Sequence, residues 1–250
     1  MQVGFIGSGN MAAAIARGWG EPVLCSDSGS GRAAALADEL GGEALGNREV
    51  AERADLVILA HKPAQLEAVA SEIGGAAKAV VSILARRTQA EVRSAYPDRP
   101  VFCVEPNTPA EVGRGVLAFA EPDAPVDPGL YAAVRERFAR LGEVVEVPER
   151  LMDVAGACMG VAPAYWSLLV EAWVDAAVRR GMPVATAQAL VTEGMAGTAE
   201  LLRRRYAGDT LALRRAVTSP GGATARGLAA LERGGVRTAL AAAMDDVVGA

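Results

Sequence analysis

The chain has 250 residues, 51% of them apolar and 22% charged, which describes one or two folded domains rather than a disordered tract. Its 28 glycines follow no triplet period, so a collagen-like fibre is excluded. A formal net charge of −5 argues against the broad basic surface that a nucleic-acid partner requires.

In chain order, Gln2–Ile6 reads as a strand and Met11–Trp19 as an Ala-rich helix. Val23–Cys25 is a second strand and Arg32–Leu40 a second helix. Leu56–Ala60, Ala79–Ile83 and Val101–Val104 are further short apolar runs with helical stretches between them. Uninterrupted apolar runs of this length suit strands buried on both faces, and alternation with helices implies parallel pairing. The expected fold is therefore α/β, with a Rossmann-like, doubly wound sheet at the N-terminus. After Val144–Val147 and Pro148 the strand pattern stops. Tyr165–Arg180, Ala185–Tyr206, Thr210–Val217, Ala223–Arg233 and Val236–Val248 read as helices. The expected domains are thus 1–148, binding a dinucleotide, and 149–250, all-α.

In the helix containing Leu168, Leu169, Val170, Trp173, Val174 and Val178, apolar residues nearly encircle the axis. A helix greasy all round in a small domain calls for a cover, and a second copy of the chain is the simplest one. The longest uncharged stretches are Met1–Ala16 and Val154–Val170. The first lacks a basic leader, and the second is short for a span and carries Gly156, Gly160 and Pro163. Both are expected as buried core, with no membrane partner. Cys25, Cys103 and Cys158 are widely spaced and form no C-x-x-C pair, which fits a reducing, cytoplasmic setting and no metal site. His61 is the only histidine, so a His-rich metal centre is impossible.

Gly7-Ser8-Gly9-Asn10-Met11-Ala12 lies between the first strand and first helix. Gly7 suits the tight turn, Gly9 a close approach to a pyrophosphate, and Ala12 a close helix–sheet contact. The phosphates would rest on the unpaired N–H groups of the helix start. Asp27, at the end of the second strand, is placed for ribose hydroxyls and NAD. Ser26, Ser28, Ser30 and Arg32 around it would instead receive a 2′-phosphate, so this segment leaves NAD and NADP both open. His61-Lys62-Pro63 and Glu105-Pro106-Asn107-Thr108-Pro109 each follow a buried strand, at the edge where such sheets bind ligands. Ser219-Pro220-Gly221-Gly222-Ala223-Thr224 opens a helix with two glycines, a nest of N–H groups suited to a carboxylate.

Taken together, GFIGSGNMA, Asn47, HKP, PNTPA, PAY and SPGGAT, followed by GLAAL, resemble the pyrroline-5-carboxylate reductase family from Gly4 to about Val248. The resemblance implies reduction of the C=N bond of 1-pyrroline-5-carboxylate, a small cyclic imino acid, to L-proline by NADPH, with NADH as the alternative donor. It implies that Gly7, Ser8, Gly9, Asn10 and Met11 hold the pyrophosphate, and that Ser28 and Asn47 serve the adenosine side. Lys62, Pro63 and Asn107 would border the nicotinamide. Ser219, Gly221, Gly222 and Thr224 would bind substrate, with the Thr224 hydroxyl orienting the ring nitrogen. It further implies a C-terminal domain that interlocks two subunits, as a homodimer or a larger ring of dimers.

Departures from the family pattern are also present. His61 stands where Val is common, and Cys103 and Glu105 where Arg and Met are common. Arg86-Arg87 replaces Gly-Val, Met159 and Val161 replace hydroxyl-bearing or small residues, and Asp209-Thr210 replaces a His-Pro pair. Glu105 is a candidate to supply or relay a proton or to contact an altered substrate; its bland role is a salt bridge to Arg86 or Arg87. For His61 the bland role is a hydrogen-bonded wall. Two other functions compete: a reductase of another small imine or a carbonyl on the same fold, and a dinucleotide-binding protein without chemistry.

Overall fold

The short apolar runs become strands whose side chains are buried on both faces, the condition that a parallel sheet covered by helices imposes. This is seen in a computed structural model, which describes residues 1–249 of the chain. Its first compact unit runs from Met1 to Pro163. Along it come β1 (Val3–Ile6), α1 (Asn10–Trp19), β2 (Leu24–Ser26), α2 (Arg32–Leu40), β3 (Glu43–Ala44), α3 (Asn47–Arg53) and β4 (Leu56–Leu59). They are followed by α4 (Leu66–Ile73), β5 (Val80–Ser82), α5 (Gln89–Ala95), β6 (Val101–Pro106), β7 (Gly115–Ala120), α6 (Pro128–Ala139) and β8 (Gly142–Val147).

The eight strands form one sheet in the order β3-β2-β1-β4-β5-β6-β7-β8. All neighbours pair in parallel except β6 and β7, which are antiparallel. The strand order reverses direction between β1 and β4, which opens a crevice at their carboxyl ends. One face of the sheet is covered by α1, α2 and α6, and its core holds an aromatic chain. Phe5 and Phe138 flank Trp19 at 5.9 and 5.4 Å, and Phe119 meets Phe138 edge-on at 5.4 Å. Trp19 Nε1 donates to the Arg137 carbonyl at 2.9 Å, so this large side chain is buried without an orphaned N–H. The opposite face packs α3, α4 and α5 through Val50, Leu66, Ile73 and Val92.

Two strands depart from the expected pattern. β7 follows β6 through a single 3₁₀ turn, Thr108–Val112, and that short connection makes it antiparallel. β3 is a two-residue exposed edge without apolar signal. After β8 the chain forms a 3₁₀ turn, α7 (Met152–Ala155) and a π turn at Gly156–Gly160, all still within the first unit. The sequence texture changes at Pro148, whereas the compact units divide after Pro163, because the Glu149–Gly160 segment packs against the end of the sheet.

The second unit, from Ala164 onward, is entirely helical among the described residues. It contains most of α8 (Ala162–Val178), then α9 (Val184–Tyr206), α10 (Thr210–Val217), α11 (Ala223–Arg233) and α12 (Val236–Val248). Asp209 caps α10 by accepting from the Leu211 and Ala212 N–H groups at 3.0 and 2.9 Å. Val154–Val170 is buried core only in its first part: Ala157, Met159 and Ala162 are buried, whereas Trp166 and Leu168 are 50% and 63% exposed. Trp173 further along α8 and Leu190 on α9 are 65% and 60% exposed. An apolar face of this extent on a small helical unit is the mark of a protein interface.

Candidate active site

The glycine fingerprint forms the turn from β1 into α1. Gly7 has φ +99, and a Cβ there would stand 2.6 Å from the Ala60 carbonyl oxygen and 2.7 Å from the His61 nitrogen. Gly7 is therefore required by the fold. Gly9 is not: a Cβ at Gly9 meets nothing within 4 Å. It occupies the N-cap of α1 without a capping side chain, and the first turn carries no acid. The N–H groups opening this helix thus face a space that the protein leaves empty, with the positive end of the dipole behind them. Ser8, Gly9, Asn10, Arg17, Arg32 and Thr108 help to line a cleft of about 400 Å³ at this point.

Ser26 ties the fingerprint to its neighbours. Its carbonyl accepts from Gly7 N at 3.1 Å and Ser8 Oγ at 2.9 Å, and its own Oγ donates to Asn47 Oδ1 at 2.6 Å. Asn47, at the start of α3, also donates from Nδ2 to Glu72 at 2.8 Å. Gly7, Ser8 and Asn47 are thus brought together, while Ser26 is buried and has no free group for a phosphate.

Asp27 is equally committed. Its Oδ1 accepts from the Gly29 and Ser30 N–H groups at 2.7 and 3.2 Å, and Oδ2 from Ser30 Oγ and Ala33 N at 2.8 and 2.9 Å. These bonds, that from Ala33 foremost, hold its carboxyl down to about 2. A carboxylate has about four acceptor positions, so Asp27 has none left for ribose hydroxyls. Ser28 and Arg32 remain exposed on the same loop.

The register aligns Ile6, Leu59, Ser82 and Cys103 across four strands. Two residues further on, Ser8, His61 and Leu84 have left the carboxyl edge while Glu105 is still within β6, opposite Ala118 of β7. In that order the four positions span roughly 14 Å at the usual strand spacing. His61 Nδ1 donates to the Lys62 carbonyl at 2.9 Å, which fixes its tautomer. Its Nε2 is buried and has no partner among the described residues, and burial pushes the imidazole pKa down. Lys62 is exposed, and its N–H donates to Gln65 Oε1 at 3.2 Å. Pro63 begins a 3₁₀ turn, and its carbonyl accepts twice from Arg87. Asn107 is buried and fully paired: Nδ2 donates to the Met159 carbonyl at 3.0 Å, and Oδ1 accepts from Val116 N at 2.8 Å. Its side chain clamps the π turn to β7.

Glu105 faces the same π turn. A Cβ on Gly156 would stand 2.5 Å from its Oε1, so that glycine makes room for the carboxylate. Arg87 is not its partner, since that guanidinium is engaged elsewhere. Burial raises the Glu105 carboxyl pKa, and the negative charge of Asp153 adds to the effect. A carboxyl raised in the folded state favours folding at low pH, and that stability is lost as pH rises through its folded value. Glu105→Gln should therefore stabilise the protein by about 1 kcal/mol at pH 8 and leave it unchanged near pH 4. Urea unfolding at both pH values checks this, and an equal effect at both would contradict it.

In the helical unit, Ser219–Gly222 forms the turn into α11. Gly221 has φ +68, and Gly222 is the N-cap, donating its N–H to the Ser219 carbonyl at 3.1 Å. No side chain caps α11, and its first turn has no acid. Thr224, in that turn, is exposed and makes no hydrogen bond among the described residues. Arg226 Nη1 donates to the Gly221 carbonyl at 2.7 Å. No group of three metal-ligating side chains occurs among the described residues.

A parallel sheet with an open crevice, a glycine turn into an uncapped helix and a helical second unit define a nucleotide-dependent oxidoreductase of the Rossmann-like class. The comparisons agree. Residues 2–86 match the family described as NADP oxidoreductase, coenzyme F420-dependent, and residues 149–249 match pyrroline-5-carboxylate reductase dimerisation. A pyrroline-5-carboxylate reductase from Synechocystis sp. is 39% identical over 78% of this chain and 73% of its own length. One from Thermus thermophilus is 31% identical over 98% and 95%. The crystal structure of Plasmodium falciparum pyrroline carboxylate reductase with NADP bound superposes with a TM-score of 0.86 at 25% identity, covering 99% of this chain and 95% of that one.

The chain belongs to the pyrroline-5-carboxylate reductase family. Glu149–Val178 is the one helical stretch among the described residues long and apolar enough to cross a membrane, with mean hydropathy 1.3. It lies inside the residues that match the dimerisation family.

Proposed function

We propose that this protein reduces the C=N bond of 1-pyrroline-5-carboxylate to give L-proline, using NADPH, as a homodimer or a ring of dimers in the cytoplasm. The observation that carries the reading is the open space at Gly9 on an uncapped helix, within a chain of this family. The residues fit a dinucleotide. The N–H groups of Asn10 and Met11 and the Ser8–Gly9 backbone cradle the pyrophosphate, as a helix N-terminus does for any anion. Asn47 and the Asp27 loop carry the adenosine side. From there the carboxyl edge leads past Lys62 and Pro63 towards Asn107, which border the nicotinamide. When bound, the reduced nicotinamide supplies the hydride.

The saturated carboxylate of Asp27 favours NADPH over NADH, because Ser28 and Arg32 are left to meet a 2′-phosphate. Arg32→Ala should raise KM for NADPH about tenfold, equal to about 1.4 kcal/mol, with little change for NADH. An equal loss with both nucleotides would contradict the assignment.

On the substrate side, the Gly221 N–H and the uncapped N–H groups at the start of α11 bind the carboxylate, with Ser219 and Gly222 shaping the turn. The Thr224 hydroxyl donates to or accepts from the ring nitrogen and holds it in line for hydride delivery at the neighbouring carbon. Thr224 is a poor acid, so its role is orientation; the imine takes its proton from water and reacts as the iminium, so that hydride addition at carbon leaves the neutral amine. The apolar faces of α8 and α9 are covered by the second subunit. Free Cys25, Cys103 and Cys158 suit a reducing compartment. The test is oxidation of NADPH by the purified protein with and without pyrroline-5-carboxylate. Rapid substrate-dependent oxidation is expected; nucleotide binding without turnover would contradict the reading.

A further inference from the structure

The loop after β5 carries a polar strut that the proposed reaction leaves unused. Arg87 Nε and Nη2 both donate to the Pro63 carbonyl, at 3.2 and 2.9 Å. Its Nη1 donates to Glu91 Oε1 at 3.2 Å, and Glu67 on α4 lies 3.8 Å away. The Arg87 side chain is only 22% exposed and its bonds to the Pro63 carbonyl are partly buried, where they are stronger and more directional, whereas Glu91 and Glu67 meet it at the surface. Glu91 is itself fixed. Its Oε2 accepts from the Thr88 N–H at 2.8 Å and from Thr88 Oγ1 at 3.1 Å, closing the capping box that starts α5. An unbroken chain of hydrogen bonds thus runs from the first turn of α5 through Glu91 and Arg87 to the peptide that follows Pro63.

The geometry of the fork matters. Two N–H groups converging on one carbonyl fix that oxygen in direction as well as distance, which a lysine ammonium does less well. The carbonyl they hold belongs to the 3₁₀ turn after β4, and Ala60 and His61, three and two residues before Pro63, lie against the Gly7 turn. A shift of Pro63 therefore displaces the carboxyl-edge loop relative to the fingerprint turn.

We propose that Arg87 is a positioning residue that sets the Lys62–Pro63 loop for the nicotinamide half of the cofactor. The proposal rests on the cofactor placement proposed above. It predicts that Arg87 acts on one half of the dinucleotide and not on the other. The adenosine half is held by Asn47, Ser28 and the glycine turn, none of which Arg87 touches.

The test compares binding of NADPH and of 2′,5′-ADP, the adenosine half alone, to wild type, Arg87→Ala and Arg87→Lys. Arg87→Ala should weaken NADPH about tenfold while 2′,5′-ADP binds as in wild type. Arg87→Lys should recover part of the loss, since one donor can still reach the carbonyl. With substrate present, KM for NADPH should rise more than kcat falls. A purely structural Arg87 would instead lower Tm and weaken both nucleotides equally, or leave both unchanged, and either result would overturn the proposal. If wild type binds neither nucleotide, the cofactor placement itself fails, and that failure is distinct from this one.

Discussion

Gly9→Val should reduce NADPH affinity at least 100-fold while leaving the unfolding midpoint of the nucleotide-free protein within about 0.5 kcal/mol of wild type. The two halves of this expectation come from one fact: a Cβ added at Gly9 meets no protein atom beyond its chain neighbours within 4 Å. The backbone there is extended, with φ −74 and ψ −179, so valine is not strained. What the side chain fills is the approach to the N–H groups at the start of α1, the proposed seat of the pyrophosphate. Gly7→Val gives the contrasting result. With φ +99 and the Ala60 carbonyl 2.6 Å from an added Cβ, it should destabilise the protein itself by about 3 kcal/mol or more. Isothermal titration with NADPH and urea unfolding of both variants separate binding from folding. A Gly9→Val protein that binds NADPH normally would remove the phosphate site from α1.

Thr224→Val should lower kcat/KM for pyrroline-5-carboxylate about 100-fold, equal to about 2.7 kcal/mol of transition-state stabilisation, with NADPH affinity unchanged. Valine keeps the β-branched shape of threonine, so α11 and its turn persist. Only the hydroxyl is lost, and it makes no hydrogen bond among the described residues that the fold could miss. Thr224→Ser should restore most of the activity. Steady-state kinetics with both substrates varied provide the measurement. Retention of activity within threefold in Thr224→Val would assign the orienting role to another group.

Much of the fold was legible because its signals are local. β1, β4 and β5 are uninterrupted apolar runs, and the long helices after Pro163 were recognisable by composition and periodicity. β7 is also apolar, but no helix separates it from β6, so the alternating pattern did not reveal it. The π turn at Gly156–Gly160 lies within one apolar stretch and has no sequence signature of its own.

The site divides in the same way. The fingerprint glycines stand next to one another in sequence and could be read directly. Ser26 as the link between Gly7, Ser8 and Asn47, Asn107 as a clamp on Met159, and Arg87 on Pro63 are long-range hydrogen bonds. No local pattern encodes them. Arg87 had an alternative partner in Glu105 by charge alone; the strand order sets β5 between β4 and β6, next to both, and only the side-chain contacts show that it reaches Pro63 instead.

The most direct test of the central claim is to supply NADPH deuterated at the transferring C4 position together with unlabelled pyrroline-5-carboxylate, then analyse the product by mass spectrometry and NMR. L-Proline carrying a single deuterium at C5 is the predicted result, since the hydride passes directly to the imine carbon. Unlabelled proline, or oxidation of the nucleotide without proline, would contradict it.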